Sequence, residues 1–293
     1  MITTAKDTLE KKPSISLKDQ GLKLPIRTFD NTKPYALLTG SSMGIGRSMA
    51  HHLAKLGHHL ILVALPDQSL ENLAKELEQT YQIKAISYGI DLTKEDSPKK
   101  LFNFCIDNKL DVNILINNAG FGLGGLFENI DLDRYNSMMS LNTRTIIGLT
   151  HYFLPELKKH KQSYILNTSS MEAMLPLPYK SVYTATKGFI YSFSLALREE
   201  LRPHNVSVSV LCPGSVLTNE DGLKRIKAMG WRAKMVVMMP DEVADIALQK
   251  MFDKKAVIIP GGINQTLSKI AKFMPTSMKM NILEKMFSSY KTH

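Results

Sequence analysis

Tyr183 and Lys187 stand four residues apart in the run SVYTATKGF, and Ser169 and Ser170 lie upstream, Ser170 thirteen residues before the tyrosine. On a helix, positions i and i+4 share a face. An ammonium held beside a phenol favours the phenolate and draws the tyrosine below its ordinary pKa of about 10, where it can act as acid or base near neutral pH. A serine hydroxyl close by can hold a carbonyl oxygen. Such a trio suits a reaction that builds negative charge on oxygen and protonates it at about the same time. A Tyr-x-x-x-Lys pair also arises on solvated helix faces, so its meaning depends on the elements that position it.

Tyr35 to Thr39 is an apolar run without helical period, and it leads directly into Gly40-Ser-Ser-Met-Gly44-Ile-Gly46. Ile45, Met49, Leu53 and Leu56 then recur at helical spacing as far as Gly57, which reads as a C-terminal cap. Glycines between a buried strand and a helix N-terminus let the backbone approach an anion, and the free N–H groups and the helix dipole favour a pyrophosphate there. The spacing, G-x-x-x-G-x-G, departs from the G-x-G-x-x-G of the general dinucleotide turn. Further apolar runs at 59–65, 84–90, 113–117, 163–168, 206–211 and 256–259 alternate with amphipathic helical stretches such as Leu70, Leu73, Ala74 and Leu77. Seven strands in that alternation predict an α/β fold, a parallel sheet with helices on both faces and its ligand at the carboxyl ends of the strands. Thr39, Asp91, Asn118, Ser170 and Pro213 all fall at such ends.

With these landmarks the chain resembles the short-chain dehydrogenase/reductase family over roughly residues 34–262. Thr39 to Gly46 matches its Thr-Gly-x-x-x-Gly-x-Gly turn, Asp91-Leu92 its adenine contact and Asn117-Asn118-Ala119-Gly120 the close of its fourth strand. Asn142, Ser170, Tyr183 and Lys187 match its catalytic positions, and Pro213-Gly214 with Thr218 its nicotinamide loop. The resemblance implies a single doubly wound Rossmann-like domain that transfers a hydride between nicotinamide and a ketone or secondary alcohol. It makes Ser170 the polarising donor and Tyr183 the acid or base. Lys187 lowers the tyrosine's pKa and grips the nicotinamide ribose, and Asn142 holds a water linking Lys187 to solvent. The cofactor contacts it implies are Gly40, Ser42, Gly44, Ile45, Gly46, Asp91, Leu92, Asn118, Ala119, Gly120, Pro213, Gly214 and Thr218, with Tyr183 and Lys187. Ser169 competes with Ser170, and the thirteen-residue interval favours Ser170.

The choice between NAD and NADP rests on the end of the second strand, Val63-Ala64-Leu65-Pro66-Asp67. Neither an acid for the ribose hydroxyls nor an arginine for a 2′-phosphate stands at 64–65. Asp67 reaching the ribose would favour NAD; Arg47 and the positive charge of the chain favour NADP, and the balance leans to NADP.

The 293 residues are 44% hydrophobic, enough for one large core, and their net charge is +10, from 37 basic and 27 acidic residues. No run approaches the ~20 apolar residues of a membrane span, and the first thirty residues lack the apolar centre of a signal peptide. A cytoplasmic protein is expected, with peripheral contact at a membrane surface as the second reading. Cys105 and Cys212 sit among apolar neighbours and read as core, and the eight histidines form no ligand cluster, so no metal is expected. Residues 254–293 hold seven lysines against Glu284 alone, and residues 1–33 hold seven basic and four acidic groups. Without zinc spacing, a recognition helix or an aromatic-interleaved groove this charge does not indicate nucleic acid; an anionic membrane, an acidic carrier protein or a phosphorylated cofactor fits it.

Residues 1–33 read as a polar N-terminal extension, 34–262 as the NAD(P)-binding catalytic domain and 263–293 as basic amphipathic C-terminal helices. In proteins of the resembling family the stretch corresponding to 215–239 forms a lid over the substrate, and its methionines and valines point to a greasy one. Phe121 to Gly125 receives no role. The C-terminal faces, Ile263, Leu267, Ile270, Ala271 and Met274, then Ile282, Leu283, Met286, Phe287 and Tyr290, suit a membrane surface, a partner subunit or the protein's own core equally. The function expected is an oxidoreductase of apolar ketones or secondary alcohols: lipid-like, steroid-like or acyl. A 3-oxoacyl carrier-protein reductase and a non-catalytic cofactor-sensing scaffold are the alternatives, and a sugar-nucleotide epimerase is disfavoured by the short tail. Family resemblance implies a homodimer or homotetramer.

Overall fold

The computed structural model describes residues 33–217, 237–266 and 275–288. The N-terminal extension up to residue 32, most of the expected lid, and Thr218, Leu267, Ile270, Ala271, Met274 and Tyr290 lie outside these residues.

Seven strands form one sheet: β1 (Tyr35–Thr39), β2 (His59–Ala64), β3 (Ala85–Gly89), β4 (Val112–Asn117), β5 (Ser163–Thr168), β6 (Val206–Leu211) and β7 (Val257–Ile258). Their order is β3-β2-β1-β4-β5-β6-β7 and every pairing is parallel. A parallel sheet buried on both faces takes strands apolar on both sides, which is why β1, β2 and most of β4 carry no alternation in the sequence; β6, Val-Ser-Val-Ser-Val, alternates and buries its small serines. β7 is shorter than its apolar run because Pro260 and the positive-φ Gly261 (+85°) follow at once.

Alternate strand residues feed two cores. Ala36 and Leu38 of β1 pack with α1 (Gly44–Lys55) and α2 (Gln68–Tyr81), and Tyr35 and Leu37 face the opposite core with α3 (Ser97–Asp107). Next come α4 (Leu132–Met139), a π-helical turn at Ser140–Arg144, α5 (Thr145–Leu157) and α6 (Ser181–Glu200). Helix α7 (Pro240–Phe252) completes the first core, and α5 and α6 the second. The last described helix is α8 (Thr276–Phe287). In α6 the buried positions Lys187, Ile190, Ser194 and Leu197 follow the 3.6-residue period, so the lysine is carried inward by the same stripe that packs the helix.

Strand order reverses at β1 and β4, whose partners lie on opposite sides. At that switch point the crossovers leave to opposite faces and a crevice opens beyond the strand ends.

Candidate active site

The crevice begins at the glycine turn. Gly40 has φ +66°, and a Cβ on Gly46 would fall 2.0 Å from the Gly40 carbonyl oxygen. Only glycine fits position 46 while the strand turns this sharply into α1. The neighbouring strand end is tied to it: Thr39 Oγ1 accepts from the N–H groups of Asn118 (2.9 Å) and Ala119 (3.0 Å), and Asn118 Nδ2 donates to Thr39 O (3.1 Å). Thr168 of β5 donates to Asn118 Oδ1 at 3.3 Å. Three strand ends are thereby locked around a cavity of about 530 Å³.

All but two of the predicted cofactor residues line that cavity: Gly40, Ser42, Ile45 and Gly46 on the turn, Asp91 and Leu92 after β3, Asn118, Ala119 and Gly120 after β4, and Pro213 and Gly214 after β6, with Tyr183 and Lys187. Gly44 does not; it opens α1 at φ +55° and shapes the turn from behind. Thr218 lies outside the described residues. Backbone N–H groups at the start of α1, a turn that a Cβ would block and the apolar Ala64, Leu65 and Leu92 fit a dinucleotide, pyrophosphate on the turn and adenine between apolar walls.

Ser170, Tyr183 and Lys187 also line the cavity. The Lys187 ammonium donates to Thr168 O at 3.0 Å and lies 5.7 Å from the Tyr183 ring centroid. Burial draws the lysine's pKa down to about 8. The tyrosine departs from expectation. Its pKa is raised, first by burial and then by the Glu172 carboxylate, with a hydrogen bond from Ser170 offsetting part of the rise. The Lys187 ammonium, held on Thr168 O 5.7 Å from the ring centroid, does not offset this rise. A raised phenol keeps its proton, which suits an acid that gives it to a developing alkoxide.

Ser169 also lines the cavity, but its hydroxyl is engaged, donating to Lys187 O at 2.7 Å, whereas Ser170 Oγ accepts from Glu172 N–H at 3.0 Å and reaches the phenol. Asn142 sits in the π-helical turn, a feature frequent at functional sites, and is fully buried. It does not line the cavity. Its Oδ1 accepts from Phe121 N–H (3.2 Å), and its Nδ2 donates to Phe121 O (3.0 Å) and Thr186 Oγ1 (3.0 Å).

Phe121 to Gly125, given no role from sequence, is therefore part of the site. A Cβ on Gly122 would stand 3.0 Å from the Tyr183 ring, so this glycine lets the loop lie flat against the phenol. Its signal was present: Gly-Leu-Gly-Gly directly after a strand end. Asn264 was missed with no signal at all. Nearly fully buried, it donates to Pro260 O (3.0 Å) and packs its amide where a Cβ of Gly214 would be, 2.8 Å away.

Two cofactor-selecting expectations are redirected. Asp67 caps α2, its carboxylate accepting from Ser69 N–H (3.2 Å) and Ser69 Oγ (2.9 Å), which holds its pKa below the usual range. Arg47 pairs with Glu76 on α2 at 2.8 Å. Asp67 is an exposed helix cap, and Arg47 half of an exposed ion pair. Cys105 and Cys212 are buried, their thiols pushed up to about 12, as small core residues would be.

A second cavity of about 630 Å³ adjoins the first and shares Gly122, Ser170, Tyr183 and Gly214 with it. Its walls are mixed: Leu123, Ile130, Leu175, Leu177 and, from α8, Leu283, Met286 and Phe287 supply the apolar part, beside Ser215, Asn264 and charged side chains. Glu172 and Lys180 form an ion pair in its lining at 2.9 Å, and Arg134 stands there as well.

A switch-point crevice with a glycine turn, opening past a half-buried tyrosine into a second cavity, defines a dinucleotide-binding α/β protein of the doubly wound class. More narrowly, the chain belongs to the short-chain dehydrogenase family, whose model matches residues 34–227. It is 32% identical over 199 residues to a very-long-chain 3-oxoacyl-CoA reductase of Laccaria bicolor, which covers 67% of this chain and only 58% of that relative's length. A solved 7β-hydroxysteroid dehydrogenase superposes with a TM-score of 0.79 at 21% identity, over 85% of this chain and 96% of that one, a likeness of fold alone. A short-chain dehydrogenase from Sphingobium yanoikuyae in complex with NADPH gives 0.69 at 26% identity, over 83% and 96%.

Proposed function

We propose that this chain is an NAD(P)-dependent reductase of apolar ketones, acting in reverse as a secondary-alcohol dehydrogenase. The observation that carries this reading is that the nucleotide crevice and a second cavity, partly walled by leucine, methionine and phenylalanine side chains, meet at Tyr183 and Ser170. When bound, the nicotinamide supplies the hydride that reduces the carbonyl carbon. The chain's own residues handle the oxygen. Ser170 Oγ donates a hydrogen bond to it, and Tyr183 Oη delivers its proton as charge builds. Lys187 holds a positive charge beneath, anchored on Thr168 O. Asn142 fixes the Phe121 backbone and with it the loop that flanks the phenol, a positioning role in addition to the water-holding one that family resemblance implies.

The walls of the second cavity select a lipid-like, steroid-like or acyl ketone, and the Laccaria relative's name lies within that class. NADP is the favoured cofactor. No carboxylate stands at Ala64 or Leu65 to repel a 2′-phosphate, and the Sphingobium protein was solved with NADPH. Dissociation constants for NADPH and NADH, titrated by fluorescence, test the preference. The catalytic assignment is tested with Tyr183→Phe. Ketone-dependent oxidation of NADPH should fall about a thousandfold or more while the Kd for NADPH changes less than about threefold. Parental turnover in the variant would remove Tyr183 as the acid. A parental protein that binds NADPH yet reduces none of a panel of hydrophobic ketones would favour a non-catalytic sensor.

A further inference from the structure

Helix α8 has two apolar faces where the sequence suggested one. Leu283 is buried and, with Phe287, walls the second cavity. Met278 (54% exposed), Ile282 (43%) and Met286 (68%) face outward. At about 100° per residue these three fall within about 80° of arc, one per turn. Lys285 lies about 20° beyond one edge of the stripe and Lys279 about 20° beyond the other. Glu284 points to the far side, where the Tyr179 hydroxyl donates to its Oε1 at 3.2 Å. An exposed apolar stripe bordered on both sides by lysines matches a bilayer interface, with methionine and isoleucine in the acyl boundary and ammonium groups among anionic headgroups.

Two further observations select this occupant. Met286 belongs to the stripe and to the lining of the second cavity, so the stripe continues into the cavity mouth. On another part of that lining Ile130 and Arg134 flank Leu132 (70% exposed), a further apolar residue beside a cation. The charge is complementary: from residue 254 to 293 the chain has seven lysines and one acid. Among the described residues no helix is long and apolar enough to cross a membrane.

We infer that α8 docks this protein on an anionic lipid surface through Met278, Ile282 and Met286, with the mouth of the second cavity turned to the bilayer. An apolar ketone would then pass from the acyl phase to Tyr183 without crossing water. The delivery step rests on the reductase reading above; the docking step does not.

The full chain is mixed with phosphatidylcholine vesicles, with or without phosphatidylglycerol, and recovered by flotation. It should float with the anionic vesicles far more than with the neutral ones. Met278→Ser/Ile282→Ser should lower the partition coefficient at least about tenfold. Lys279→Glu/Lys285→Glu should lower it about fivefold per lysine, on anionic vesicles only. Neither double variant should alter NADPH-dependent reduction of a short, water-soluble ketone, so loss of flotation with turnover intact reports on docking alone. A chain that stays in the aqueous fraction with anionic vesicles overturns the inference. So does a Met278→Ser/Ile282→Ser variant that floats like the parent but dissociates an oligomer in sedimentation velocity, because the stripe is then a subunit seam.

Discussion

The first cavity is built on backbone, glycines and strand-end polar groups with apolar flanks such as Leu65, Ile90 and Leu92, and the second on the tips of leucine, methionine and phenylalanine beside three charged side chains, Arg134, Glu172 and Lys180. In the first, Thr39, Asn118 and Thr168 tie three strand ends together by hydrogen bonds of 2.9–3.3 Å. In the second, one ion pair, Glu172 with Lys180, is set among apolar side chains, and one wall is the single helix α8. Hydrogen bonds fix angle and distance, whereas apolar contacts fix mainly volume. The half that must bind a constant nucleotide is therefore rigid, and the half that must bind a particular ketone is adaptable. Substitutions should divide accordingly: all-or-none in the first, graded in the second.

The largest effect is expected from Gly46→Ala. The added methyl would stand 2.0 Å from Gly40 O and 2.7 Å from Asn118 Nδ2, so the turn and the latch beside it must both move. A cost of about 3 kcal/mol and loss of NADPH binding should follow, read by thermal melts and cofactor fluorescence. A variant with parental Tm and Kd would mean that the turn is as adaptable as the second cavity, and the contrast would fail.

Lys187→Met sharpens the comparison by separating function from stability. The native lysine titrates near 8, the unfolded one near 10.5. Between those values the unfolded chain holds more protons, so stability rises with pH across the window and the full penalty applies below pH 8. Methionine removes the penalty. The variant should gain about 2 kcal/mol at pH 7, after deducting the lost bond to Thr168 O, and lose turnover about a thousandfold. Its advantage in Tm should shrink as the pH approaches 10. A variant less stable than the parent at pH 7 would show that the lysine is bound more favourably than its burial implies.

The sequence made the rigid half far more legible than the soft one. A strand buried on both faces such as β1 appears as an unbroken apolar run, and a turn that admits only glycine writes itself into the chain, so β1, the 40–46 turn and the α6 stripe carrying Lys187 could be read directly. What escaped depends on depth and partners. Whether burial or an ammonium governs Tyr183 cannot be read from four-residue spacing. Asp67 followed by Ser69 at the head of an amphipathic run is a capping signal that the ribose reading passed over. Asn264 gave no sign, because its place is defined by Gly214, fifty residues away. On α8 the apolar residues were visible, but not their division between the cavity and solvent.

Gly122→Ala probes the boundary between the halves. Its methyl would press on the Tyr183 ring from 3.0 Å, and the ring cannot yield without moving Oη relative to Ser170. kcat should fall about 10- to 100-fold with NADPH affinity nearly unchanged, since displacement of a reacting group by a fraction of an ångström is costly. A rise in KM at constant kcat would instead make this loop a substrate wall only.

Met286→Ala should have the smallest effect. The side chain is 68% exposed and reaches the cavity only at its mouth, so its loss leaves no sealed void and the flexible neighbours can close in. Stability should stay within about 0.5 kcal/mol of the parent. For a long-chain or steroid-like ketone KM should rise about threefold at unchanged kcat, and for a short ketone neither constant should move, the pattern of lost uniform binding. A fall in kcat for the short ketone would place Met286 in contact with the reacting centre. The second cavity would then be built to the same tolerance as the first, and substrate choice would have to come from elsewhere in the chain.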